Sequence, residues 1–129
     1  MLFKRKVDTP LHGGMVSFLN KVDSEYMMAF NTKSIRNLQP YLTRDCGIKV
    51  SQHIHGVGSR YFGAAKFRDT KWLLEQETNG TLIIRKEVYF DKINIAGAMK
   101  VAVANDYVEK WVIDTTCDPA VVMDIEQVK

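Results

Sequence analysis

The chain has little cysteine. Cys46 and Cys117 stand far apart, and one distant pair makes neither a disulfide framework nor zinc-ligand spacing. Both are expected as reduced thiols, which fits a cytoplasmic location. Long hydrophobic runs are also missing: no stretch approaches the ~20 apolar residues of a membrane span. The opening "MLFKRKVDTP" carries charge with no apolar segment behind it, so it does not read as a signal peptide. An excess of one charge is missing too. Eighteen basic residues face 15 acidic ones, for a formal net charge of +3. Lys and Arg are scattered along the chain rather than gathered on one face, which argues against a nucleic-acid partner. The one local basic cluster, Lys4-Arg5-Lys6, is too small for more than weak contact with an anionic membrane.

What is present suits one domain. A length of 129 residues with 46% hydrophobic and 26% charged content supports a self-sufficient core. We see no repeats, low-complexity segment or linker. The sequence therefore divides into an N-terminal arm over 1–14 and a single domain over 15–129. From Met15 to Phe30, the apolar residues Met15, Phe18, Leu19, Val22, Tyr26, Ala29 and Phe30 step by threes and fours, which predicts a helix. Asp23 is assigned to its polar side. "NTKSIRNLQPYL" predicts a second, short helix with Thr32 as N-cap, ended or kinked at Pro40. A third helix is expected after Thr43, with Cys46, Val50, Ile54 and Val57 on one side and Gly56 and Gly58 as stop signals.

Beyond that point the pattern is that of strands. "RYFGAAKF" and "KWLLEQE" read as short strands or one bent strand, separated by Arg68-Asp69-Thr70. Asn79-Gly80 is the strongest hairpin signal in the chain. A β-rich run from Leu82 to Ile95, a long strand in "MKVAVANDYVEKWVI" and a last strand in "AVVMDIEQV" complete the pattern. Helices followed by an antiparallel meander make an α+β layout. The N-terminal helices should pack in the concave face of a curved antiparallel sheet, a cone-shaped roll. Trp72, Phe90, Tyr107 and Trp111 are available to fill or line it.

That order, with "VEKWVIDTTCDPAVVMDIEQV" at the end, resembles the nuclear-transport-factor-two-like superfamily. Within it, the likeness is closest to domains similar to the membrane tether of the mitochondrial import motor. The residues that carry it are Glu109 and Trp111 on one strand, then Asp124 and Ile125 on the last; Val121 and Val122 stand where that group often has a tryptophan. The resemblance implies a conical pocket and an open sheet face that is frequently used for dimerisation. It also implies that enzymes of this fold place Asp, His and Tyr inside the cone, for which this chain offers Tyr26, His53, Tyr61 and Asp106. Fold alone does not decide among these activities.

"SQHIHGVGSR" concentrates two of the three histidines. His53 and His55 sit two positions apart, about 200° around a helix, so their rings diverge and no metal is expected. The remaining His12 has no defined geometry. "GVGSR" lacks the third glycine of a dinucleotide fingerprint, because that position is Tyr61, and it follows a helix rather than a strand. No cofactor is expected, and Arg60 at that corner reads as solvated.

The reading that these residues support is a non-enzymatic binding domain engaging a protein partner or a small apolar ligand. Tyr26, His53, Tyr61, Trp72 and Tyr107 would line the pocket, and Glu109, Trp111 and Ile113 would form the surface of a homodimer. The alternative is a cofactor-free isomerase or lyase with His53 as general base.

Overall fold

The structure is a computed structural model that describes residues 9–11, 13–56, 68–90 and 107–128. Two helices, α1 (Gly13–Thr32) and α2 (Arg44–Gly56), pack on one side of a curved antiparallel sheet. The strands are β1 (Thr9–Pro10), β2 (Arg68–Thr78), β3 (Thr81–Phe90), β4 (Tyr107–Asp114) and β5 (Val121–Gln127), and their spatial order follows the sequence. The sheet is thus a meander edged by a two-residue strand, with Thr9 and Pro10 opposite Leu74 and Leu73.

Helix α1 runs past both of its expected ends. It buries Leu19, Val22, Tyr26, Ala29 and Phe30, the apolar stripe read from the sequence, and also Asp23. Thr32 is its last residue rather than the cap of a new helix. Lys33 follows in the left-handed conformation at φ 59°, and its N–H closes on the Ala29 carbonyl at 2.8 Å. With Thr32 taken up by α1, the short helix expected over 32–42 reduces to turns. Only Gln39–Tyr41 forms a 3₁₀ turn, with Pro40 in its first positions, where a missing N–H costs nothing. The third expected helix is α2. Thr43 caps it as predicted, its Oγ1 accepting from the Cys46 N–H at 3.3 Å. Cys46, Gly47, Val50 and Ile54 form the buried side of α2, while the Lys33 ammonium donates to the Ile54 carbonyl at 2.9 Å near the helix's end.

Arg68-Asp69-Thr70 is itself strand, part of β2, rather than a separator. The Asn79-Gly80 hairpin is formed, both residues having positive φ (50° and 86°), as a tight turn matched to strand twist requires. In β4, alternation turns Tyr107, Glu109, Trp111 and Ile113 inward. In β5, Val122 and Ile125 are both buried although three residues apart. A bulge between them restores the phase: Ile113 pairs with Val122 and Val112 with Asp124, which leaves Met123 as the extra residue. Residues 33–43 run to the outer edge of β5, where the Thr43 N–H donates to the Val122 carbonyl at 3.0 Å. Among the described residues, no helix is long and apolar enough to cross a membrane.

Candidate functional site

The core between α1 and the sheet holds a charged centre. Lys86 and Glu109 are fully buried and Asp23 is nearly so. The Lys86 ammonium donates to Asp23 Oδ1 at 2.5 Å and to Glu109 Oε1 at 3.2 Å. Glu109 Oε1 also accepts from the Trp111 indole N–H at 3.1 Å, and Oε2 accepts from the Tyr26 hydroxyl at 3.1 Å. The ammonium lies 5.3–5.8 Å from the ring centres of Tyr26, Trp72, Tyr107 and Trp111. These rings pack edge to face: Tyr26 on Trp111 at 5.6 Å, and Trp72 on Trp111 at 5.0 Å. The Trp72 indole donates outward to Asn20 Oδ1 at 2.8 Å.

Three elements build this centre, each by its own periodicity. Asp23 lies at helical spacing among Leu19, Val22, Tyr26 and Phe30. Lys86 shares an inward parity with Leu82, Ile84 and Val88, and Glu109 shares one with Tyr107, Trp111 and Ile113. Taking such ions out of water costs several kcal/mol each, so the geometry must repay it. It does so with charge-assisted hydrogen bonds and with aromatic faces whose negative charge receives a cation.

One side of the centre reaches a cavity of about 320 Å³. Its lining comes from α1 (Tyr26), α2 (Lys49, Val50, Gln52 and His53), β4 (Glu109) and β5 (Ile125, Glu126 and Gln127). Val50, Ile125 and the rings of Tyr26 and His53 provide its apolar wall. The Tyr26–Glu109 hydrogen bond supplies buried polarity. At the rim, the Lys49 ammonium is held by Asp124 Oδ1 at 2.6 Å, which raises the lysine pKa above its ordinary value; nearby Glu126 adds to the effect, and partial burial opposes it. A wider depression on the outer side of α2, about 610 Å³ and lined by Ile35, Leu42, Arg44 and Ile48 among others, has no buried charged group in its wall.

Compared with family models, curated proteins and solved structures, the chain matches none.

The expected pocket residues are therefore divided. Tyr26 and His53 line the cavity together. Trp72 and Tyr107 are core residues around the Lys86 ammonium, absent from the cavity wall. Tyr61, Arg60, Asp106, His12 and Lys4-Arg5-Lys6 lie outside the described residues, as do "RYFGAAKF" and the stretches 91–95 and 99–106 of the expected strands. Glu109, Trp111 and Ile113 are not on a surface: all three are fully buried, because they occupy the parity of β4 that faces the helices. In this chain they cannot form a dimer face as proposed from the sequence.

His53 and His55 both stand on α2 and are solvent-exposed. The His53 ring meets Phe30 edge to face at 5.5 Å, while His55 Nδ1 lies 2.7 Å from the Ser51 carbonyl. Among the described residues, no group of three or more His, Cys, Asp or Glu is placed to hold a metal ion. Sequence reasoning missed Asp23 and Lys86 and misplaced Glu109. The signal that would have found them is shared: each is a charged residue standing in the apolar phase of its own element.

Proposed function

We propose that this domain binds a small ligand, without chemistry, in the cavity walled by α1, α2, β4 and β5. The observation that carries the proposal is the buried Tyr26–Glu109 hydrogen bond at the base of a recess of about 320 Å³ whose wall includes Val50 and Ile125. A cavity of that size with few, fixed polar groups is the usual form of a small-molecule site. The polar pair is rigid, because Glu109 is held by three donors and Tyr26 packs against both Phe30 and Trp111. Such a site orients a ligand without paying to order its own side chains.

The test is an NMR titration of the ¹⁵N-labelled protein with a panel of small fragments. Amide shifts should cluster at Val50, His53, Ile125 and Gln127, and Gln52→Trp, which places a large ring in the mouth from an exposed position, should abolish them. Shifts scattered over the surface, or binding that survives Gln52→Trp unchanged, would overturn the reading. The catalytic alternative, an isomerase or lyase with His53 as base, draws on the shared wall of His53, Tyr26 and Glu109. Turnover of any substrate that persists in His53→Ala would remove it.

A further inference from the structure

We infer that Asn79 is a site of spontaneous covalent modification, cyclisation onto the Gly80 nitrogen with loss of ammonia, and that the β4–β5 turn holds this reaction in check. The first ground is chemical. Of the six asparagines, only Asn79 precedes a glycine, and glycine alone offers a backbone nitrogen with no side chain beside it. Asn79 is exposed at the tip of the β2–β3 hairpin, between the paired residues Thr78 and Thr81. The Gly80 nitrogen attacks Asn79 Cγ. The N–Cγ bond forms, the Cγ–Nδ2 bond breaks, and Nδ2 leaves as ammonia, the proton lost by Gly80 ending on the leaving nitrogen. Water then opens the cyclic imide. Opening at Cγ gives aspartate; opening at the main-chain carbonyl gives isoaspartate, whose backbone runs through the side chain and is one carbon longer.

The second ground is geometric. Ring closure needs the Gly80 nitrogen on the same side as Cβ about the Asn79 Cα–C bond. A turn with positive φ at both central residues, 50° and 86° here, points that nitrogen away. The reaction therefore waits for the turn to open, and the β4–β5 turn opposes opening. The Gly80 carbonyl accepts from the Thr115 N–H at 2.8 Å and from the Thr115 hydroxyl at 2.6 Å. The Thr116 methyl occupies the space beside Gly80, 2.6 Å from where a Cβ would stand. Asp114 Oδ1 fixes Thr116 in turn, accepting from its N–H at 2.8 Å and its hydroxyl at 2.6 Å. The reactive pair is thus clasped by residues 35 positions away in the chain. Isoaspartate would lengthen the turn and part the Gly80 carbonyl from Thr115, so each conversion unlocks the clasp irreversibly.

The experiment incubates the full-length protein near neutral pH, folded and in concentrated urea. Peptide mapping by mass spectrometry follows the gain of about 1 Da at Asn79. In urea the site should convert freely, and in the folded protein about tenfold more slowly. Thr115→Val, an exposed substitution that replaces only the hydroxyl donor, should convert about threefold faster than the parent when folded and at the parent's rate in urea. No conversion at Asn79 in urea would overturn the site. Equal rates folded and unfolded would overturn the protection. A folded Thr115→Val variant no faster than the parent would overturn the role of the clasp.

Discussion

Lys86 on β3 and Asp23 on α1 meet at 2.5 Å across 63 positions of chain, joining the sheet to the helix that covers it by a buried ion pair. This contact and the one to Glu109 fix how α1 sits on the sheet. A helix slid by one turn would carry Asp23 away from the ammonium and leave charges without partners, whereas leucine would tolerate such a slip. The stability that the centre contributes is thus conditional on all of its members.

Removing one member should expose that condition. Lys86→Met leaves Asp23 and Glu109 facing each other's charge in the core, and we expect a loss of about 3–5 kcal/mol in urea denaturation. The triple variant Lys86→Met, Asp23→Asn, Glu109→Gln removes these three ions together and should recover part of that loss. A single Lys86→Met variant as stable as the parent would mean that the centre is not buried in solution.

The hairpin turn gives a second expectation. Gly80 has φ +86°, and a Cβ there would stand 2.6 Å from Thr116 Cγ2. Its carbonyl also accepts from the Thr115 N–H at 2.8 Å and from the Thr115 hydroxyl at 2.6 Å, which links the β2–β3 turn to the β4–β5 turn. Gly80→Ala should cost about 1–2 kcal/mol, read as a lowered thermal midpoint. An unchanged midpoint would show that the backbone relaxes there without strain.

The two thiols should differ in reactivity and in pH dependence. Burial, with Asp124 adding to it and Lys49 opposing it, pushes the Cys46 pKa from its ordinary 9.0 up to about 12, whereas Cys117 is exposed. At mildly alkaline pH a disulfide reagent should therefore modify one thiol promptly and the second only on unfolding. The sign of the linkage follows from the raised value. The folded state holds the Cys46 proton more tightly than the unfolded chain, so this contribution is complete below pH 9 and declines as pH rises towards 12. The stability difference between the parent and Cys46→Ala should shrink over that window. A difference that stays flat would place the thiol in contact with water.

Where one force dominates, the sequence was readable. The helical steps of α1, the Thr43 cap and the Asn79-Gly80 turn are local devices, and each is found where local reasoning placed it. Thr32 misled because the stripe Ala29–Phe30 carries α1 further than a cap signal suggests, and Arg68-Asp69-Thr70 because polar residues within a strand look like a break. The charged centre was invisible for a different reason. A lone aspartate on a helix or a lone lysine on a strand is ordinarily solvated, and only the juxtaposition of three distant elements turns these into partners. Glu109 was noticed with Trp111, but parity alone does not say which face of a strand looks inward.

The wide separation of Asp23 from Lys86 and Glu109 also bears on the order in which the chain can fold. As the chain leaves the ribosome, α1 is complete long before β3 and β4 exist. Until they do, the buried side of α1 carries an aspartate without the lysine it meets in the folded domain, which disfavours settling against an early partial core. Committed structure must wait for contacts that are distant in sequence, which is the condition for slow folding. A nascent or truncated chain that ends before β4 would hold the helix and the hairpin without the glutamate that completes their junction.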